Sequence, residues 1–266
     1  MLLVFSHGNS FPASTYGAMT ASLKKRGFSV KAIEKLGHDS AYPVTDNWPH
    51  MVQQLADFAK RESDKAGEPA YLVGHSLGGI LSLMCAARHP NLARGVVLLD
   101  SPVIGGWRAT TLGAIKTTQM VGRVSPGAVS KHRKQVWPTA EAAYAHFKSK
   151  RAFALWDDAV LRDYIAHGMV DVDGHRHLAF DRRIETQIYN TLPDNLDSLL
   201  KRHPLKCPAA FIGGLQSEEM KRVGTTLTEK VTKGRMAWMD GTHLYPMEKP
   251  LAAAAMVEAA VRGFSA

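Results

Sequence analysis

Short apolar runs alternate with amphipathic stretches through the first hundred residues of the chain. The apolar runs that have the length and composition of buried strands are 2–6, 28–33, 71–73 and 96–99. The stretches in which apolar residues recur at helical spacing are 15–26, with Ser14 as its N-cap, 48–67 and 79–88. This alternation predicts βαβ units around a parallel sheet.

The pattern changes after residue 102 and returns after residue 203. Between these points the chain has amphipathic stretches such as 140–147 and 158–167 and one turn-rich hairpin at 170–180. Strands at 209–212 and 236–239 then alternate with helices at 219–231 and 250–263. We therefore predict an α/β fold with a mostly parallel, doubly wound sheet. Residues 1–102 and 204–266 form this core, and residues 103–203 form an inserted, mainly helical cap.

Composition and charge narrow the classes of protein that fit. The 266 residues are 45% hydrophobic and 21% charged, which is typical of a globular protein. The net charge of +9 is spread along the chain, so we expect a solvated basic surface rather than a nucleic-acid site. No stretch approaches the ~18 apolar residues of a membrane span. With only Cys85 and Cys207 and no predicted signal peptide, a cytoplasmic location fits best.

The clearest chemical signal is the sequence Gly-His-Ser-Leu-Gly-Gly at 74–79, between a predicted strand and a predicted helix. A serine at the tip of such a strained strand–helix turn stands above the sheet as a nucleophile. The residues two before and two after it must lack side chains, because the turn brings the backbones together. Ser76 is therefore the predicted nucleophile.

A serine hydroxyl needs a base that accepts its proton. His243 follows the last predicted strand and precedes the last helix. In a parallel sheet that loop lies at the carboxyl edge, where Ser76 also points. Of the 12 histidines, His243 is therefore the predicted general base.

Together, four segments of the chain resemble motifs of the α/β-hydrolase superfamily. They are His-Gly-Asn at 7–9, Gly-His-Asp-Ser at 37–40, the elbow at 74–79, and His-x4-Glu-x-Pro at 243–250. The resemblance implies a serine-nucleophile branch with a helical cap. It also implies an oxyanion hole formed by the backbone N–H groups of Leu77 and Asn9.

The acid that orients His243 has two candidates. The family usually places an aspartate after the strand that follows the cap, but this segment contains Glu218 and no aspartate. A minority of the superfamily places the acid where Asp100 lies, at the end of the strand at 96–99. We favour Asp100 and retain Glu218 as the alternative.

The leading functional hypothesis is a carboxylesterase-like serine hydrolase that cleaves an ester or related acyl bond of a small to medium substrate through an acyl-enzyme. The alternatives are a C–C bond hydrolase or lyase with the same triad, or a non-catalytic ligand-binding protein. No cofactor is expected. The acidic and histidine residues at 171–177 are interpreted as a hairpin turn rather than a metal site.

Overall fold

A computed structural model of the chain describes residues 1–104 and 130–265; residues 105–129, which belong to the predicted cap, lie outside this description. Elements are numbered in chain order within these ranges. The strands are β1 (Leu2–Ser6), β2 (Ser29–Ala32), β3 (Ala70–His75), β4 (Ala93–Leu99), β5 (Val136–Trp137), β6 (Met169–Val172), β7 (His175–Leu178), β8 (Ala209–Gly214) and β9 (Met236–Met239).

The helices are α1 (Gly17–Lys25), α2 (Pro49–Ala66), α3 (Leu77–Arg88), α4 (Ala140–Lys148), α5 (Asp158–His167), α6 (Arg182–Asn190), α7 (Leu196–Arg202), α8 (Glu218–Val223), α9 (Thr226–Thr232), α10 (Tyr245–Glu248) and α11 (Pro250–Arg262). Short 3-10 turns occupy Ala13–Tyr16, Pro90–Leu92 and Gly263–Ser265.

Six parallel strands form the central sheet in the order β2-β1-β3-β4-β8-β9. Alternate residues of a strand face opposite sides, so each strand contributes to two cores. Leu2 and Val4 pack with α2 and α3 on one side, whereas Leu3 and Phe5 pack with α1 and α11 on the other. The predicted doubly wound α/β fold is confirmed.

Two local predictions were wrong. The predicted helix at 219–231 is two helices, α8 and α9, because Gly224 between them adopts a φ of +78° that a helix cannot continue through. Ser14 does not cap α1; it lies in the preceding 3-10 turn, and its N–H and hydroxyl donate to the carboxylate of Glu34.

The described part of the inserted segment contains four helices, α4–α7, and a three-stranded antiparallel sheet in the order β5-β7-β6. The predicted hairpin is the β6–β7 pair, and both Asp173 and Gly174 at its turn have positive φ, as a tight two-residue turn requires. The boundaries of the cap stay a prediction. Within residues 1–104 and 130–265, no helix has the length and apolarity needed to cross a membrane.

Candidate active site

Ser76 occupies the turn between β3 and α3, with a φ of +52° that side chains rarely adopt. The two flanking glycines are required by close backbone approach. A Cβ added at Gly74 would lie 2.2 Å from the Gly78 backbone, and one at Gly78 would lie 2.0 Å from the carbonyl oxygen of Ser6. The turn therefore places the Ser76 side chain above the carboxyl edge of the sheet.

The side chains of Ser76, His243 and Asp100 form a continuous hydrogen-bonded line. The Ser76 Oγ lies 3.0 Å from Nε2 of His243, and Nδ1 of His243 lies 2.6 Å from Oδ2 of Asp100. Because a carboxylate oxygen accepts, Nδ1 carries the proton, which leaves Nε2 free to accept the Ser76 hydroxyl proton. The three residues follow β3, β9 and β4, which all end at the same sheet edge.

Asp100 is fully buried and is held by two donors besides His243. Its Oδ1 accepts the N–H of Gly214 at 2.7 Å, and its Oδ2 accepts the hydroxyl of Ser217 at 2.5 Å. These bonds compensate the buried charge and fix the carboxylate in one orientation. Its own φ is +41°, a strained value for a residue that directly follows a strand.

The alternative acid, Glu218, does not contact His243. Its side chain is 62% exposed and pairs with Lys221 at 2.7 Å, which lowers its carboxyl pKa. Its neighbour Glu219 points the other way, with Oε2 3.9 Å from Nδ1 of His243. Ligand-type atoms of Asp100, Glu219 and His243 lie within 4.8 Å of one another, but Nδ1 is already engaged with Asp100. The geometry is therefore suited to a base with an orienting acid, because the Nδ1 atom that a metal would need is occupied by the bond to Asp100.

The environment of His243 acts on its pKa in two directions. Burial, the largest influence, lowers the pKa by disfavouring the imidazolium. The hydrogen bond and charge of Asp100, with the charges of Glu219 and Glu248, outweigh burial and raise the pKa above the ordinary histidine value. The site therefore favours a proton on this imidazole.

The two predicted oxyanion donors belong to different segments of the sheet edge. Leu77 begins α3, where the first N–H groups of a helix have no acceptor within the helix. Asn9 lies in the loop after β1. His7 holds this loop from within: its Nδ1 donates to the carbonyl of Gly8, and its Nε2 accepts the N–H of Leu36. Burial lowers the pKa of His7 to about 4, so the ring is neutral and its role in the loop is structural.

A second chain of hydrogen bonds, buried except at its His243 end, connects the two loops that flank the nucleophile. The N–H of Gly8 donates to the Tyr16 hydroxyl, which in turn donates to Nδ1 of His75 at 2.7 Å. The Nε2 of His75 donates to the backbone carbonyl of His243 at 2.8 Å. Burial lowers the pKa of His75 to about 3, so this ring stays neutral. Its Nδ1 therefore acts only as an acceptor and its Nε2 only as a donor.

The inserted segment reaches the oxyanion loop through Glu185 of α6. The Glu185 carbonyl accepts the side-chain amide of Asn9 at 3.1 Å, and its carboxylate accepts the Ser10 hydroxyl at 2.5 Å. The other carboxylate oxygen pairs with Arg133 at 3.0 Å, and Arg133 also donates to the Tyr164 hydroxyl. Glu185, Asn9, Ser10 and Tyr164 are all buried. This segment therefore helps to fix the position of the loop.

Sequence reasoning missed several residues around the site. No role was predicted for Ser217, although a serine directly before a helix is an N-cap signal. Ser217 caps α8 and also donates to Asp100. Tyr16 and Glu185 carry no local motif, because each contacts the site across a long stretch of sequence. A cavity of about 430 Å³ lined by Gln135, Leu178 and Arg182 among others contains none of the predicted site residues.

Residues 3–256 match the profile of the α/β hydrolase family. The monoglyceride lipase homolog of Monkeypox virus is 25% identical over 166 residues, which cover 58% of this chain and 60% of the viral protein. The monoglyceride lipase of Rattus norvegicus is 24% identical over 148 residues, covering 51% of this chain and 49% of the rat protein. The crystal structure of E-2-(acetamidomethylene)succinate hydrolase superposes with a TM-score of 0.76 at 20% identity, over 98% of this chain and 91% of that chain.

Fold and family profile agree, and the chain belongs to the α/β hydrolase family. The similarity to the two lipases is partial, since the chain spans 60% of the viral relative and 49% of the rat relative. The resemblance to the succinate-derivative hydrolase is one of fold.

Proposed function

We propose that this protein is a serine hydrolase that cleaves an ester or related acyl bond of a small to medium substrate. The observation that carries the proposal is the hydrogen-bonded line from Ser76 through His243 to Asp100, with distances of 3.0 Å and 2.6 Å. A base within hydrogen-bond reach of a serine, itself oriented by a carboxylate, is the arrangement that activates a hydroxyl.

The first half-reaction transfers the acyl group to Ser76. The Oγ forms a bond to the substrate carbonyl carbon while its proton moves to Nε2 of His243. The carbonyl π electrons move to the oxygen, and the N–H groups of Leu77 and Asn9 stabilise this oxyanion. The oxyanion then collapses, the bond to the leaving group breaks, and the proton on His243 passes to the departing oxygen.

The second half-reaction returns the enzyme to its starting state. His243 removes a proton from water as the water oxygen attacks the acyl-Ser76 carbonyl carbon. When the second oxyanion collapses, the bond to Oγ breaks and the proton returns to Ser76, which releases a carboxylic acid. Throughout, Asp100 accepts a hydrogen bond from the Nδ1–H of His243 and is not itself protonated.

The relatives support an ester as the bond that is cleaved. Two of them carry the name monoglyceride lipase or monoglyceride lipase homolog, although the chain matches only part of each. A serine at the elbow also fits acyl transfer, in which the nucleophile must leave again as an alkoxide that His243 can protonate.

The experiment is labelling with a fluorophosphonate probe, followed by a panel of p-nitrophenyl esters of increasing acyl length. We expect labelling and p-nitrophenol release by the unaltered protein, and loss of both in Ser76→Ala. Ser82→Ala is the matched control. Ser82 is a buried serine on α3, the helix that follows Ser76. Its hydroxyl has no hydrogen-bond partner in the part of the chain that the structure describes.

The result separates the three hypotheses. Labelling with ester turnover supports acyl hydrolysis. Labelling without turnover of any ester in the panel favours a C–C hydrolase or lyase. A folded protein in which Ser76 resists the probe is a ligand-binding protein, and the proposal is then wrong.

A further inference from the structure

We propose that Glu219 is a second carboxylate partner of His243, whose negative charge stabilises the imidazolium formed when Ser76 gives up its proton. The inference rests on the proposed function, in which His243 is the base. Glu219 Oε2 lies 3.9 Å from the same Nδ1 that donates to Asp100, and its side chain is 46% exposed. It thus faces the ring from the solvent side while Asp100 faces it from the interior.

The placement of Glu219 follows from the start of α8. Ser217 caps this helix by accepting the N–H of Met220, and its hydroxyl donates to Asp100 at 2.5 Å. The cap therefore ties the first turn of α8 to the acid that orients His243. Successive helical residues point about 100° apart, so Glu219 can face His243 while Glu218 faces solvent and Lys221.

The contribution of Glu219 is one of charge rather than of orientation. Asp100 already accepts the Nδ1 proton at 2.6 Å and fixes the ring. At 3.9 Å Glu219 is beyond a strong hydrogen bond, but it is close enough to attract a positive imidazolium. The attraction is absent while His243 is neutral and appears when the proton arrives, so it acts on the charged intermediate and transition state.

The other ionisable groups near His243 are either engaged elsewhere or uncharged, so they do not supply the same charge as Glu219. Glu248 is the third carboxylate near the ring, but it is bound to the N–H and hydroxyl of Thr242. The ring of His75 lies 5.0 Å from that of His243, tilted by 40°, and burial keeps it neutral by lowering its pKa. Tyr189 lies within electrostatic range of Glu219, and burial raises the pKa of its hydroxyl to about 12, so it too is neutral.

Asp240, three residues before His243, is engaged by Lys249 and Gln216. The carboxylates that bear on His243 are thus Asp100, Glu219 and Glu248, and Glu219 is the exposed member of the three.

The test compares Glu219→Gln with Glu218→Gln, which alters the adjacent residue by the same change. The pH profile of kcat/KM is measured at constant ionic strength, at the isosbestic wavelength of p-nitrophenol. Removing a carboxylate beside His243 makes protonation harder, so the acid limb of Glu219→Gln moves to lower pH. For each variant, kcat/KM at a pH on the acid limb is divided by the plateau value of the same variant. We expect this ratio to be about two- to fivefold higher in Glu219→Gln than in the unaltered protein, which is the effect of a partly exposed ion pair.

Two further results are expected. Glu218→Gln should keep the profile of the unaltered protein, and Glu219→Asp should recover part of the displacement because it retains the charge. Raising the salt concentration should move the unaltered protein towards Glu219→Gln, since salt screens an exposed pair. The proposal is overturned if Glu219→Gln and Glu218→Gln have the same acid limb.

A readout that does not need activity separates this proposal from the proposed function. The imidazole of His243 is titrated by NMR in protein with labelled histidine, and its signal is assigned by its loss in His243→Asn. Glu219→Gln should lower the pH at which this signal titrates, whereas Glu218→Gln should not. An unchanged titration in Glu219→Gln overturns the proposal even when ester hydrolysis is observed.

Discussion

The sheet edge and the inserted segment contribute to the candidate site in different ways. At the sheet edge, Ser76, Asp100 and His243 are placed by strand ends and strained turns, so their positions follow from the backbone of the core. The inserted segment acts through Glu185. Its carboxylate accepts the Ser10 hydroxyl and pairs with Arg133, and its backbone carbonyl accepts the side-chain amide of Asn9.

The difference indicates which region controls which property. A reacting group fixed by backbone geometry is either present or absent, so changing it should abolish the chemistry and leave the fold. A loop positioned by an ion pair depends on the strength of that pair. Changing the pair should therefore lower the stability of the fold and the reaction rate partly rather than completely. Each of the following predictions tests this division.

The largest effect is expected at the sheet edge, in Asp100→Asn. An amide at this position can favour the wrong tautomer of His243, and we expect kcat to fall by about four orders of magnitude, as for the equivalent change in a serine protease. Ester hydrolysis measures the loss, and circular dichroism and thermal unfolding check that the variant is folded.

Glu218→Gln is the matched control for Asp100→Asn, because it alters the other acid that the sequence allowed. Glu218 is exposed and pairs only with Lys221 among the contacts described for its side chain, so kcat should be unchanged. A larger loss in Glu218→Gln than in Asp100→Asn would reverse the assignment of the acid.

The sequence was sufficient for residues whose roles are tied to a local pattern. The glycines around Ser76 and the position of His243 after the last strand are visible without coordinates, and the fold class follows from the alternation of apolar and amphipathic segments. The acid was harder, because two carboxylates follow different strands and only the loop conformation decides which one reaches His243. In the structure Asp100 lies 2.6 Å from Nδ1 of His243, whereas Glu218 is exposed and pairs with Lys221.

The contacts of the inserted segment could not be predicted at all. Glu185 lies 175 positions from Ser10, and no periodicity or motif links the two. No sequence pattern marks Tyr16 either, since an aromatic residue at the start of a helix is usually an ordinary core residue. Side-chain networks of this kind depend on how whole elements pack.

The next largest effect is expected in the inserted segment, in Glu185→Ala. This change leaves Arg133, whose side chain is 18% exposed, without its carboxylate, which should cost about 3 kcal/mol of unfolding free energy, the lower end of the range for breaking a buried pair. Urea denaturation measures the loss. Asp64→Ala breaks the exposed pair with Lys60 and should cost about 0–1 kcal/mol.

A double variant separates stability from catalysis in this region. Arg133→Met with Glu185→Leu removes both charges, so most of the stability should return. The Ser10 hydroxyl loses its acceptor in either case, so kcat should remain low. Full recovery of kcat in the double variant would show that the ion pair only stabilises the fold.

A smaller effect is expected in Tyr16→Phe, which interrupts the chain between the two loops. The N–H of Gly8 and Nδ1 of His75 lose their partner in a fully buried place, at a cost of about 1–3 kcal/mol in unfolding free energy. Tyr71→Phe is the control within the same core cluster, since no hydrogen bond of its hydroxyl is found among the described residues. Equal losses in the two variants would assign the Tyr16 effect to packing alone.

The smallest expected effect concerns the pH dependence of activity. It distinguishes the sheet edge from the inserted segment most directly. Because the pKa of His243 is raised above the ordinary value of about 6.5, the imidazole is protonated over a wider range and cannot accept the Ser76 proton there. Activity should therefore rise with pH through an acid limb that lies above that value. Glu185 and Arg133 are not among the groups that act on His243, so the double variant should lower the plateau of kcat/KM without moving the limb. A limb that moves in the double variant would mean that the inserted segment acts on the base itself, and the division between the two regions would fail.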